Sequence, residues 1–588
     1  MNRFIWVFLT LFVVNASFAQ TPLTADSAYA YLQDQRARAR VPQQDQDNPP
    51  ADSLRKAEKI LLDALLYYER ADVQALARTS KSLFARKGDI SFDLGLIQAK
   101  LGQHQTAAKT LAYVLTTEYA TTYADRIETM PALRAVRSDP ALAPQLKKIN
   151  GTNRVFNSAA LRTPYQVNIP EDEKIAGLSK LWSEAKYNFA YFDHVPDLDW
   201  DKLYLDYLPK IRATRSTADY VRVLALFCAQ LRDGHTDVWA NDPALADSLE
   251  RRPPLRTMLV EDKVLVQDVL SDSLLKTGIR PMMELVSIDG LPAKDYADRY
   301  VKPYQSGSTQ QNVDVSTYTY ELLKGHKDKP VTLGFRERSD GVAPVFTRTL
   351  PRTGYTKLRS TPAYSFTILP GNVAYVQLNT FDSNDALTGF KRSFDSIATT
   401  NALILDVRLN GGGNSGVGWN ILGYLTDKPM QTGSYSSRIY SPLRRARGEG
   451  VKFENVGDSK GGWPANGTQL YSKPVVVLTS GRTFSAAEDF AVVFDYMKRG
   501  TIIGEPTGGS TGQPLSFNLP GGVMARVCTK RDAYPDGKEW NGKGIQPTIL
   551  VKPTVADLQR GRDPVLEAAL THLGAKQTMV KETRRKSR

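Results

Sequence analysis

Ser485 stands where the chain changes periodicity. Pro474 to Thr479 is a β-branched apolar run and reads as a buried strand. A turn at Ser480-Gly481 follows. From Ser485 onward, Ala486, Ala487, Phe490, Val493 and Met497 recur at helical spacing. A hydroxyl at a strand-turn-helix junction projects from a rigid point, and the first helical amides can stabilise a developing oxyanion. A second reading needs no chemistry: Ser485 and Glu488 have the S-x-x-E spacing of a capping box. The stretch is not the G-x-S-x-G elbow of α/β-hydrolases.

A serine nucleophile needs a base and a group to orient that base. Five histidines are available. His104 falls in a turn between helical segments, His194 in a turn beside Asp193, and His326 in a lysine-rich loop. His572 is near the C-terminus. His235 follows a long helical pattern, Ala218 to Leu231, in a tight Asp233-Gly234-His235-Thr236 turn. Elimination raises His235, although a lone histidine is more often structural. Gly411-Gly412-Gly413 ends another strand at the edge where α/β folds bind ligands. It is either a flexible turn or a backbone that approaches a substrate closely and aims an amide at an oxyanion. Neither a P-loop nor an H-E-x-x-H pattern is present, so the reading requires no metal and no cofactor.

These residues need a scaffold. Strand patterns at Val373 to Leu378, Ala402 to Val407, around Val476 and at Thr501 to Ile503 alternate with helical ones. That alternation predicts an α/β core with a mostly parallel sheet over 360–560. Residues 155–250 mix helices and turns, and 255–352 form a small β-rich module. Residues 20–50 read as weakly ordered. Beyond them the chain is helical to about 150, with one tetratricopeptide-like pair broken at Gly102, in which Leu94, Ile97 and Leu101 are set to face Ala108, Leu111 and Leu115. The segment 561–588 reads as a basic tail.

At 588 residues and 41% hydrophobic composition the chain can bury several cores. Its net charge of +14 is mostly scattered, and no zinc-finger or RNP-like motif accompanies it, so nucleic acid is not an expected partner. Residues 1–19 read as a secretory signal peptide: Arg3, an apolar run too short to span a bilayer, then Ser17 and Ala19 before a cut. The product is expected to be exported, periplasmic or extracellular, without stable membrane insertion. Cys228 and Cys528 sit in apolar segments as buried thiols, a single disulfide being the other option.

Four stretches in order resemble the tail-specific, or C-terminal processing, serine peptidases, on the branch nearest the tricorn catalytic core. They are Leu231 to Thr236, Leu405 to Gly413, Ser480 to Glu488, and Asp536 to Pro547. The resemblance implies a crotonase-like core, a PDZ-like domain at 255–352, and hydrolysis of peptide bonds in proteins with exposed hydrophobic C-terminal ends. It implies Ser485 as nucleophile, His235 as base and Glu539 as acidic partner, with Asp536 as the alternative acid and the amides of Gly412 and Ala486 at the oxyanion. A related dyad design places a lysine about twenty-five residues after the serine; here Ser510 stands there. The tricorn pattern has a serine before the histidine; here Gly234 stands there. A non-catalytic binder of hydrophobic ligands or peptides on the same fold is the alternative function.

Overall fold

The computed structural model describes residues 23–40, 49–78, 80–153, 155–156, 158–339, 341–457, 462–466 and 469–575. The expected leader at 1–19 lies outside them, as does 576–588 of the basic tail. The chain divides into two compact units between residues 158 and 159.

The first unit is helical. Ala25–Arg40 forms a helix where weak order was expected. Ala28, Leu32 and Ala39 lie near helical spacing and bury with Leu54, Leu61 and Leu94, and Arg36 pairs with Asp89 and Asp93 at 3.1 and 2.9 Å. Small and polar residues hide that stripe in the sequence. The helices Lys81–Lys100 and His104–Val114 break at Gly102, whose φ of 77° suits glycine. Their expected pairing of faces is corrected. Leu94 and Ile97 bury with the preceding helices. It is Phe92 and Ala99 that bury with Ala108 and Leu111. A helix apolar on two sides packs on two neighbours, and periodicity does not assign the sides.

The second unit mixes sheets and helices. Six strands run side by side in the order Ile549–Leu550, Thr501–Gly504, Val475–Thr479, Ala402–Asp406, Val373–Leu378 and Tyr364–Leu369. All adjacent pairs are parallel except the last. Both faces are covered, which is why the strands read as continuous apolar runs. Leu403, Leu405, Val475 and Val477 pack with Phe390, Phe394 and Phe490. Ile404, Val476, Leu478 and Ile503, on the opposite face, pack with Val565, Ala569 and Leu570. Those last residues belong to the helix Pro564–His572, so the segment read as a basic tail begins with a structural element of the core. His572 lies in that helix and reaches Thr501 Oγ1 at 3.0 Å.

A smaller antiparallel sheet joins Asp237–Ala240, Val523–Cys528 and Pro514–Leu519, with Asp237 opposite Arg526. The β-rich module is a separate antiparallel sheet, Leu255–Val260 to Val345–Leu350, with its own apolar core. Cys228 and Cys528 are buried free thiols. Among the described residues no helix is long and apolar enough to cross a membrane.

Candidate active site

Two adjacent parallel strands deliver the Ser485 turn and the glycine turn to the same edge of the large sheet. Ala402–Asp406 ends at Arg408, which bridges Asp406 and Asp563 at 2.7 and 2.8 Å. Val475–Thr479 ends at Ser480. Three hydrogen bonds then tie the turns together. Ser480 Oγ donates to Arg408 O (2.7 Å), Thr483 Oγ1 to Val407 O (2.9 Å) and Phe484 N to Asn410 O (3.0 Å).

Ser485 is the residue before the helix Ala486–Tyr496, with φ 55° and ψ −124°. Such a backbone costs a non-glycine residue about 1–3 kcal/mol and persists only where neighbours impose it. Here the Ser485 N–H is held by Glu488 Oε2 at 3.0 Å and by Ser510 O at 3.3 Å. The capping reading is therefore met through Glu488. It does not exclude the chemical one, because the Ser485 hydroxyl lies 3.0 Å from His235 Nε2.

His235 is nearly fully buried and stacks on Phe484, with ring centroids 4.7 Å apart and 6° between planes. Its turn is fixed from below by Asp233, whose Oδ2 accepts from His235 N (3.1 Å) and Thr236 Oγ1 (2.7 Å). Thr236 Oγ1 in turn accepts from Cys528 N at 3.1 Å, which binds the turn to the small sheet. Burial, aided by the charges of Arg526 and Lys530, holds the His235 pKa down at about 3, so the ring is neutral.

The other face of the histidine departs from expectation. Nδ1 lies 2.9 Å from Ser510 Oγ, not against a carboxylate. Glu539 instead pairs with Arg531 Nε and Nη2, both at 3.0 Å, and its side chain is 40% exposed. Arg531 is also paired with Asp193 at 2.7 Å. A guanidinium fork matches a carboxylate in geometry and charge, which neutral His235 does not. Asp536, the alternative acid, is exposed and accepts from Lys538 N at 3.0 Å within its own turn.

A carboxylate beneath Ser485 is that of Glu488, which is fully buried. Its Oε2 accepts from the Ser485 and Ser510 amides (3.0 and 3.2 Å). Its Oε1 accepts from Gly509 N (2.7 Å) and Thr507 Oγ1 (2.5 Å). Burial outweighs these four bonds and pushes its pKa up to about 8.

Gly412 sits against Ser485. A side chain there would meet Phe484 O and Ser485 Cβ, both at 2.8 Å, and its φ of 106° also suits glycine. Its amide, expected at an oxyanion, already donates to Asn410 Oδ1 at 2.9 Å. The Ala486 amide, at the first helical position, makes no hydrogen bond among the described residues.

Residues 372–551 match the model of Peptidase family S41. The chain is 26% identical over 283 residues to the chloroplastic C-terminal processing peptidase of Tetradesmus obliquus, covering 48% of this chain and 54% of that one. It is 24% identical over 296 residues to the carboxyl-terminal-processing protease of Synechocystis, covering 49% and 63%. The chain thus spans less than two thirds of these relatives. The structure of mature CPAF shares its fold, with a TM-score of 0.53 at 18% identity over 68% of this chain and 98% of that one. The resemblance to tail-specific peptidases, read from four short motifs, is borne out by the match of residues 372–551 to Peptidase family S41.

Proposed function

We propose that this chain is an exported serine peptidase. The observation that carries the reading is the 3.0 Å approach of Ser485 Oγ to His235 Nε2 at the start of a helix. His235 Nε2 takes the Ser485 proton as Oγ attacks the scissile carbonyl carbon. The tetrahedral oxyanion is stabilised by the Ala486 amide. The Gly412 amide contributes once it shares its hydrogen with the oxyanion as well as with Asn410. His235 then protonates the leaving amine, and the peptide bond breaks to leave an acyl-enzyme. Water, deprotonated by His235, attacks the ester and restores Ser485.

The family match over residues 372–551 supports a peptidase core, which we read as crotonase-like; a PDZ-like module at 255–352, a tetratricopeptide-like helical region and substrates presenting C-terminal ends rest on the motif resemblance. PDZ domains hold such ends by strand addition. The test is peptide-library cleavage by purified protein, read by mass spectrometry. Wild type should release products and folded Ser485→Ala should not. Cleavage by Ser485→Ala at the wild-type rate would refute the nucleophile.

A further inference from the structure

We infer that Ser510 is the positioning residue of His235, doing with a neutral hydroxyl what a carboxylate does in other serine enzymes; this rests on the peptidase reading above. Ser510 touches both reacting side chains' supports. Its Oγ lies 2.9 Å from His235 Nδ1. Its carbonyl accepts from the Ser485 amide at 3.3 Å, and its own amide donates to Glu488 Oε2 at 3.2 Å. Side chain and backbone of one residue therefore set the distance between base and nucleophile.

A hydroxyl both donates and accepts, so it fits either tautomer, and the productive one carries its proton on Nδ1. A proton on Nδ1 donated to Ser510 Oγ leaves the Nε2 lone pair facing Ser485 Oγ, the form a general base requires. Ser510 is fully buried, so no water replaces it in this structure's packing. No other partner of Nδ1 is recorded among the described residues. The ring is neutral and sandwiched against Phe484, so orientation is what the third group must supply.

The loop that carries Ser510 is itself anchored at several points. Thr507 Oγ1 and Gly509 N bind Glu488, and Thr309 Oγ1 donates to Gly508 O at 2.6 Å. Gln311 Nε2 donates to Thr507 O at 2.9 Å. A hydroxyl on such a loop can fix a ring without carrying charge.

The experiment compares wild type, Ser510→Ala, Ser510→Thr and Ser485→Ala on one peptide substrate, with thermal melts and ¹⁵N NMR of the His235 ring. Ser510→Ala is expected to lower kcat by about 10²-fold, the low end of what a positioned base contributes, with KM changed by less than about twofold. Its ring nitrogens should shift from the Nδ1–H tautomer to a mixture, and Ser510→Thr should restore both signals. Wild-type kcat in Ser510→Ala with an unchanged tautomer, while Ser485→Ala is dead, would overturn the positioning role and leave the peptidase reading standing. Equal activity of Ser485→Ala and wild type would overturn the peptidase reading itself. The tautomer signal is read without turnover, so a loss of activity through misfolding, visible in the melt, does not count for the role.

Discussion

Two carboxylates of this chain lie in motifs that resemble the same family, and they live in opposite surroundings. Glu488 is sealed beneath Ser485 with four donors on its two oxygens. Glu539 lies at a half-open surface with an arginine on it. The first binds the Ser485 turn to the loop that carries Ser510. The second joins two turns through Arg531 and Asp193. The difference teaches that a motif supplies a carboxylate, while the donors around it decide what the carboxylate does. Buried amides and a threonine hydroxyl recruit Glu488; a guanidinium recruits Glu539.

Removing Glu488 should have the largest effect. Glu488→Ala leaves three buried donors unpaired, the Ser485 amide keeping Ser510 O, and should lower unfolding free energy by about 3–5 kcal/mol, read from urea denaturation. A loss below about 1 kcal/mol would mean that the carboxylate does not hold the two loops together.

The pH dependence separates the two surroundings next. A carboxylate on His235 would raise its pKa and move the acid limb of kcat/KM upward. Burial with a neutral partner lowers it, so the limb should fall below the usual histidine value of about 6.5 and activity should persist near pH 5. The stability effect has the matching sign. Below about 6.5 the unfolded chain takes up a proton on His235 and the folded chain does not, so this contribution is lost as pH falls. Glu488 acts oppositely: its raised pKa gives stability at low pH that is lost as pH rises through about 8. A limb above 7 that moves down in Glu539→Gln would place Glu539 on the histidine.

The smallest effect is expected at the surface pair. Glu539→Gln should change stability by less than about 1 kcal/mol and kcat/KM by less than about twofold. Abolished turnover in a folded Glu539→Gln protein would reverse the comparison.

Ser485 and His235 were legible because each sits at a boundary that periodicity marks, one at a strand-turn-helix junction and one just beyond a long helix. The parallel sheet was legible from its apolar runs. Ser510 was not, since its contact with His235 spans 275 residues and no local pattern announces it. One signal did exist: a serine, not a lysine, stands twenty-five positions after Ser485. Gly234 is explained by the same neighbourhood. A side chain there would meet Asn312 Oδ1 at 2.6 Å and Phe484 Cζ at 3.0 Å, so a serine before the histidine would require Asn312 to shift. The helix Pro564–His572 was obscured because its stripe is short and precedes a lysine- and arginine-rich end.

Fluorophosphonate labelling followed by peptide mapping tests the central claim most directly, since it reports whether Ser485 Oγ is activated without needing a substrate. The account predicts one adduct, on Ser485, formed much more slowly in His235→Ala and at nearly the wild-type rate in Glu539→Gln. No adduct in folded protein, an adduct on another serine, or labelling that ignores His235 but requires Glu539 would contradict it.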